Sequence, residues 1–187
     1  EELRPGYAKG REIRADVQFE KGQYNEAIEL LSLILKDTPA AFDARVLRTK
    51  AYLALKKTDL ALGDAKALVE QRPNYLEGRI LIGTVQFERA SFREAEDAFL
   101  SAIKQSSETS DLTEKLGDIS EKLNKSQAAV DYYKKTIELN PKSIDAMTKL
   151  SKIYLKLSQE VLAEQVLRQG LSIFPKSITL NYELVKL

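Results

Sequence analysis

The stretch from residue 80 to residue 103, ILIGTVQFERASFREAEDAFLSAI, decides the fold of this chain. Its second half places apolar residues three and four apart, which is the spacing of one face of an α-helix. The residues with this spacing are Phe92, Ala95, Phe99, Ala102 and Ile103. A separate apolar set precedes them at Ile80, Ile82, Val85 and Phe87. The stretch therefore predicts two consecutive helices.

One residue of this stretch belongs to a series that recurs every 34 residues. The series consists of Ala27, Ala61, Ala95, Ala129 and Ala163. Prolines follow the same period at Pro5, Pro39, Pro73, Pro141 and Pro175, and Ser107 takes the one vacant place. A fixed period of this length is the sequence signature of a repeat architecture. We therefore predict five copies of a two-helix unit along the chain.

Other residues on the period mark where the helices begin and end. Acidic residues, which favour the positive end of the helix dipole, occupy the first turn of the predicted first helices. They are Asp43, Glu77, Asp111 and Asp145. The prolines follow the second helices, where the chain has to stop and turn. Sustained alternation typical of strands is missing from the sequence, so we predict an all-α protein.

Steric restriction explains why small residues recur. Two helices that cross closely leave no room for long side chains, and small residues also recur in the first helices at Ala15, Thr49, Gly83, Gly117 and Ser151. Larger apolar residues are expected to lie opposite them, at Leu31, Phe99, Tyr133 and Leu167. Small against large fills such a seam without voids. Leucine in place of Ala95 or Ala129 should therefore be strongly destabilising.

These motifs resemble the tetratricopeptide repeat, which combines a Leu–Gly-like pair, an aromatic residue, an alanine, a second aromatic residue and a closing proline. The pair occurs here as Ile82-Gly83 and Leu116-Gly117, and more loosely as Leu150-Ser151. The aromatic positions are occupied by Tyr24, Tyr52, Phe92, Phe99, Tyr133 and Tyr154. The resemblance implies a right-handed α-solenoid of stacked helix–turn–helix repeats.

The resemblance implies one array with five repeats, at residues 8–41, 42–75, 76–109, 110–143 and 144–177. We assign residues 1–7 to the end of a preceding repeat or to a leader, and residues 178–187 to a C-terminal capping helix. The stretch 105–110 lacks the periodic proline and is rich in hydroxyl groups. It fits a plain polar loop best, with a softer joint or a phosphorylation site as alternatives.

The chain departs from the family pattern at two positions of the first helix. The first large residue is replaced by Arg11, Arg45 and Arg79, and later by Thr113 and Met147. Arg14 and Arg48 stand where the family usually has leucine. We expect these arginines to lay their aliphatic stems along the seam and to carry the guanidinium groups to solvent or to acidic side chains.

Composition excludes several classes of function. The 187 residues carry 29 basic and 28 acidic side chains, whereas nucleic-acid-binding proteins usually have a marked basic excess. Cys and His are both missing, which removes the thiolate nucleophile, the commonest general base and the preferred zinc ligands. No apolar run reaches the roughly 20 residues of a membrane span. We expect no catalysis, no cofactor, no metal, no nucleic acid and no membrane insertion.

In the resembled family, first helices line a concave groove with the second, fifth, ninth, twelfth and thirteenth positions of each repeat. Carried over, this predicts an apolar strip with intervening polar residues that takes a partner peptide or helix, and a basic patch farther along. The candidate partner-binding residues are Phe19, Val46, Lys50, Leu53, Ile80, Thr84, Phe87, Lys149, Lys152 and Lys156. The alternative is that the apolar positions pack on neighbouring helices and that the charged faces are ordinary solvated surface.

The predicted function is therefore that of a protein-binding adaptor. A structural scaffold that assembles into homo-oligomers through exposed ends of the array or the apolar strip is the alternative. Family members that clamp the C-terminal carboxylate of heat-shock chaperones use a Lys and an Asn in the first helix. This chain has Glu12 and Asp16 there, and Glu77 and Leu81 at the later positions, so we do not expect a carboxylate clamp.

Overall fold

The structure, a computed structural model, describes the backbone from Pro5 to Leu187 and the side chains from Lys9 onward. Within this range every regular element is an α-helix. The helices are α1 (Pro5–Glu20), α2 (Tyr24–Asp37), α3 (Phe42–Ala54), α4 (Thr58–Gln71), α5 (Leu76–Glu88), α6 (Phe92–Gln105), α7 (Ser110–Lys122), α8 (Ser126–Leu139), α9 (Ile144–Lys156), α10 (Glu160–Ile173) and α11 (Ile178–Val185). They form two compact units, unit 1 (Glu1–Gln105) and unit 2 (Ser106–Leu187).

The helices follow the 34-residue period. From α3 onward the first helices of the hairpins begin at residues 42, 76, 110, 144 and 178, and the second helices begin at 24, 58, 92, 126 and 160. Helix α1 begins at Pro5, three residues before the start that the period would give. Proline is well tolerated in the first turn of a helix. Residues 5–7, assigned to a preceding repeat or leader from sequence, therefore form its first turn, and residues 1–4 lie outside the described range.

The turn inside each hairpin has one conformation throughout. Gly22, Lys56, Ala90, Asn124 and Ser158, again 34 residues apart, all have a positive φ between 55° and 75°. At each turn the amide after this residue donates to a carbonyl five residues earlier, as Lys57 does to Tyr52 over 2.8 Å. This is the hydrogen bond with which a left-handed residue closes a helix C-terminus.

The predicted seam of small residues against large ones is confirmed. All five periodic alanines are completely buried. A Cβ atom added to Gly83 would lie 2.9 Å from the Phe99 ring, and one added to Gly117 would lie 2.5 Å from the Tyr133 ring. In these two hairpins a residue without a side chain is needed, because the aromatic ring occupies the space that a Cβ atom on the facing helix would take.

Unit 1 contains three hairpins, and arginines join them. Arg48 donates from Nε and Nη2 to the two carboxylate oxygens of Asp64, both over 2.7 Å, and from Nη1 to Ser32 over 3.0 Å. Asp64 is only 9% exposed. Arg45 and Arg79 donate to the carbonyls of Pro39 and Pro73, six residues earlier in each case.

A further guanidinium of unit 1 also reaches an acid, because Arg11 pairs with Asp37 at 2.5 Å. Arg11 and Arg48 thus reach acidic side chains, as expected from the sequence, although Arg48 does so in a largely buried position. The backbone carbonyls that accept from Arg45 and Arg79 were not expected.

Unit 2 contains two hairpins and α11, and its seam is less charged. Tyr133, Met147 and Leu167 are all buried in it. Thr113 forms a buried hydroxyl–hydroxyl bond of 2.9 Å with Thr136. Helix α11 packs against α9 and α10 and places the fully buried Leu180 over them.

Candidate partner-binding face

One ion pair shows which positions of neighbouring first helices adjoin. Lys50 Nζ of α3 lies 2.6 Å from Glu77 Oε1 of α5, and both side chains are about two-fifths exposed. The ninth position of one repeat therefore lies beside the second position of the next. We call the surface formed by the second, fifth and ninth positions of α1, α3 and α5, with the twelfth-position side chains that border it, the first-helix face of unit 1.

The apolar residues of α3 contribute little to this face. Val46 is 9% exposed and packs with Phe42, Leu68 and Leu81 in the core. Leu53 is half-buried and contacts the clusters on both sides of it. At these two positions the packing alternative therefore describes the side chains better than a continuous apolar strip.

Helix α5 offers more accessible surface. Ile80, Thr84 and Phe87 are each half-buried, and they lie on one side of the helix because they are four and three residues apart. The Thr84 hydroxyl donates to the Ile80 carbonyl over 2.9 Å. The Phe87 ring meets Phe92 edge to face at 5.6 Å, so part of the ring supports its own hairpin turn.

The first candidate residue along the chain has the same arrangement as Phe87. Phe19 is half-buried and meets Tyr24 edge to face at 5.3 Å. Aromatic pairs of this geometry add modestly to the stability of the elements that they join. Phe19 therefore both holds the α1–α2 turn and contributes a ring edge to the first-helix face.

Hydrogen bonds lower the pKa of Glu77, the carboxylate of this face that pairs with Lys50. Burial acts to raise the pKa of Glu77, but the hydrogen bonds from Lys50 and from the Tyr75 hydroxyl outweigh it, so the pKa lies below its ordinary value. The Tyr75 bond is 2.5 Å long. Burial, followed by this bond, raises the pKa of Tyr75 well above its ordinary value. Glu77 is thus held ionised and oriented between two donors.

In unit 2 the corresponding face is organised around a lysine. Lys149 Nζ lies 2.8 Å from Glu114, 2.8 Å from Asp118 and 2.9 Å from Asp145. Burial acts to lower the pKa of Lys149, yet these hydrogen bonds dominate and raise it above its ordinary value. Lys149, a candidate binding residue from sequence, therefore joins α7 and α9 through its ammonium group.

The pKa values of two carboxylates around Lys149 are shifted in opposite directions. Burial raises the pKa of Glu114, whereas hydrogen bonds with Glu114 and Lys149 lower that of Asp145. The Tyr133 hydroxyl, 2.8 Å from Asp118 and 2.6 Å from Glu121, extends the network to α8. From the sequence, Asp145 was expected only to favour the helix dipole, and Glu114 and Asp118 were not predicted to bind a lysine. Their positions on the 34-residue period were the signal that could have revealed them.

The remaining basic candidates are more accessible. Lys152 lies 3.3 Å from Glu183 of α11 and is more than half exposed. Lys156 is exposed. Neither side chain is held by several carboxylates, so both can still reach a partner.

Among the described residues, no three or more acidic side chains are arranged so that they could hold a metal ion. None of the helices from Pro5 onward combines the length and the apolar character needed to cross a bilayer.

Several exposed apolar side chains lie outside the positions that define the first-helix face. Ile13, Val17 and Leu33 of α1 and α2 are between 44% and 57% exposed and line an open depression of about 560 Å³. On α11, Ile178 and Val185 are 86% and 87% exposed. Such side chains indicate contact surfaces when they cluster.

Hairpins of one length, stacked at a fixed period, define a helical-repeat protein. One tetratricopeptide repeat model matches residues 14–75 and 80–144, and a second model of the same repeat matches residues 132–165. The chain therefore belongs to the tetratricopeptide repeat family, whose repeats support a role as a protein-interaction scaffold. No curated protein matches the chain.

Solved structures share this fold at low sequence identity. A crystal structure of MamA is 23% identical with a TM-score of 0.80, and the match covers 87% of this chain and 95% of that one. MamA 41-end from Desulfovibrio magneticus RS-1 is 13% identical with a TM-score of 0.84, covering 91% and 97%. A thermophilic TPR protein in Thermus thermophilus, TTC0263, is 18% identical with a TM-score of 0.69, covering 96% and 97%.

Proposed function

We propose that the chain is an adaptor that binds a segment of a partner protein on the first-helix face of unit 1. The supporting observation is the accessible row Ile80, Thr84 and Phe87 beside the Lys50–Glu77 ion pair. An apolar row bordered by oriented charges suits a peptide or helix that has apolar anchors between polar residues. Burying such anchors provides most of the binding energy, and the charges select the partner.

The side chains of this face have distinct roles in the proposal. Ile80 and Phe87 contact apolar anchors of the partner, while Thr84 keeps acceptor capacity because its own hydrogen is directed to the Ile80 carbonyl. Phe19 extends the apolar contact on α1. Val46 and Leu53 contribute indirectly, because their packing against core residues holds α3 in place. In unit 2, Lys152 and Lys156 offer a separate contact for acidic side chains of a partner.

The proposal is tested by making the face bulky and charged without touching the core. Thr84→Arg should reduce recovery of specific partners from a cell extract at least tenfold in quantitative mass spectrometry, with unchanged far-ultraviolet circular dichroism. Thr179→Arg introduces the same change on the exposed surface of α11 and should leave recovery unchanged. Equal recovery with Thr84→Arg and the unsubstituted chain would contradict the proposal. Val46→Glu is unsuitable, since it would place a charge in the core.

A second candidate function is self-assembly into a scaffold. The observation that favours it is the exposure of Ile13, Val17 and Leu33 on unit 1 and of Ile178 and Val185 on unit 2. Apolar surfaces that differ from each other form head-to-tail contacts, which lead to rings or filaments. Sedimentation equilibrium at tens of micromolar should show oligomers that Val17→Glu dissolves; a monomer at these concentrations would remove this candidate.

A further inference from the structure

Three carboxylates of unit 1 repeat those that surround Lys149 in unit 2. Glu12, Asp16 and Asp43 precede Glu114, Asp118 and Asp145 by 102 residues, which is three periods of 34, and the residue types are identical. In both units the first two lie on one first helix and the third begins the next first helix, and α1 packs against α3 as this requires. We call Glu12, Asp16 and Asp43 the unit-1 triad and their counterparts the unit-2 triad.

The unit-2 triad shows what this arrangement holds. Lys149 directs its ammonium at all three carboxylates, with distances of 2.8, 2.8 and 2.9 Å. A lysine ammonium has three N–H donors and no acceptor, so one donor is available for each carboxylate. Hydrogen bonds between ionised groups are the stronger ones in proteins. The triad thus forms a site for one ammonium group.

The unit-1 triad lacks this cation. The residue equivalent to Lys149 is Leu47, which is half-buried against the core of the first hairpins. The equivalent of Tyr133, whose hydroxyl contacts the second carboxylate of the unit-2 triad, is Leu31. Glu12, Asp16 and Asp43 are all exposed, and none of them forms an ion pair with a described residue.

From this comparison we infer that the unit-1 triad binds a lysine side chain of the partner segment. The inference rests on the proposed function, because the triad belongs to the first-helix face, and it specifies the partner as a segment with a lysine beside its apolar anchors. Three like charges on adjoining helices repel one another, and a bound ammonium relieves that repulsion. Leu47, in the place of Lys149, leaves that space to a cation supplied from outside.

The chemistry favours an ammonium over other cations. A metal ion needs its ligands within one small shell, and among the described side chains no acidic group is arranged in that way. The planar guanidinium of arginine matches one carboxylate with two parallel bonds, whereas the point charge of lysine serves three carboxylates in three directions. Lysine is therefore the expected ligand.

The test uses two synthetic peptides, a blocked Leu-Ala-Lys-Ala-Leu peptide and the same peptide with an acetylated lysine, titrated into isotopically labelled full chain and followed by amide chemical shifts. The lysine peptide should bind at least tenfold more tightly than the acetylated one. Glu12→Gln combined with Asp16→Asn and Asp43→Asn should remove this preference.

A matched control carries the same loss of charge elsewhere in unit 1. Glu70→Gln, Glu94→Gln and Asp97→Asn change three exposed acids on α4 and α6 and should leave the preference intact. Equal weakening by both triple variants, or equal binding of the two peptides, would overturn the inference. A dimer that forms with rising concentration and is dissolved by the triad variant would assign the site to a second copy of the chain, and would overturn it as well.

The two proposals can fail separately. If Thr84→Arg abolishes peptide binding while the triad variant does not alter the lysine preference, the face binds partners and only the lysine site is wrong. If Thr84→Arg leaves binding of both peptides and recovery of partners unchanged, the proposed function fails. In that case, amide chemical-shift changes confined to α1 and α3 would show that the peptide binds at the unit-1 triad alone.

Discussion

Unit 1 fills the fourth position of its repeats with Arg11, Arg45 and Arg79, whereas unit 2 has Thr113 and Met147 there. At the sixth position of the first helices the pattern is reversed. Unit 2 encloses a lysine among carboxylates, and unit 1 has Leu47 at that position. Each unit thus carries basic side chains at a repeat position where the other has uncharged ones. The comparison shows that one repeat period can be stabilised through different positions. The inferred lysine site of unit 1 follows from it, because carboxylates equivalent to those around Lys149 have no internal ammonium there.

The largest expected effect concerns the ion pair inside unit 1. Asp64→Ala should lower the free energy of unfolding by about 3 kcal/mol, because it leaves the Arg48 guanidinium largely buried without a counter-charge. Combining Arg48→Leu with Asp64→Leu should recover most of this loss, since apolar pairs of similar volume replace such ion pairs well. Urea unfolding measures the free energy of unfolding of the single and the double variant. A double variant no more stable than Asp64→Ala would contradict this account of the buried pair.

The next effect compares the seams of the two units. Gly117→Ala should destabilise by about 2 kcal/mol, because its new Cβ would lie 2.5 Å from the Tyr133 ring, and overpacking of this kind costs about 1–3 kcal/mol. Gly83→Ala, 2.9 Å from Phe99, should cost less. Gly63→Ala has open space around it and should stabilise α4 by up to about 1 kcal/mol. Thermal unfolding of the three variants in this order would confirm the seam, and equal shifts would contradict it.

The smallest expected effect is the dependence of stability on pH. The pKa of Glu77 is lowered, so its ionised form is favoured by folding; its stabilisation is present above the unfolded pKa and is lost as pH falls through the folded pKa. The pKa of Glu114 is raised, so its contribution favours folding below the unfolded pKa and is lost as pH rises through the folded one. Each contribution should be under about 1 kcal/mol, since both groups are partly solvated.

Carboxyl carbon NMR resolves these two titrations. Glu77 should titrate below an ordinary glutamate and Glu114 above it. Lys50→Met should move the Glu77 midpoint upward and leave the Glu114 midpoint unchanged, because Lys50 is bonded only to Glu77 of the two. Coincident titration of both glutamates in the unsubstituted chain would show that the two faces are electrostatically alike.

Most of the fold could be predicted from the sequence, because the packing of hairpins imposes a period that residues must obey. The burial of Ala95 and Ala129 and the pairing of Gly83 with Phe99 follow directly from steric limits. The burial of Val46 could not be predicted in the same way, since the fifth position lies at the border between face and core. The exposure of Val46 depends on its packing against Phe42, Leu68 and Leu81, and none of these three residues is at a position that the groove pattern includes.

The site was less predictable than the fold. Lys149 lies at the sixth position, outside the groove pattern, and was a candidate only as part of the basic patch with Lys152 and Lys156. Only the geometry shows that its ammonium is already bound. The division between Gln105 and Ser106 falls beside the stretch that lacks the periodic proline, which the sequence marked as irregular. The sequence pattern thus shows which residues occupy equivalent positions of the repeats, whereas the ion pair that each charged side chain forms depends on the neighbouring helix.

The most direct measurement is the number of lysine peptides bound per chain when the sixth-position residues are exchanged. The unsubstituted chain should bind one Leu-Ala-Lys-Ala-Leu peptide, at the unit-1 triad. Leu47→Lys should supply an internal ammonium and reduce the number to none, and Lys149→Leu should vacate the unit-2 triad and raise it to two. If both variants bind the same number of peptides as the unsubstituted chain, the carboxylate triads are not lysine sites and the comparison between the units loses its functional meaning.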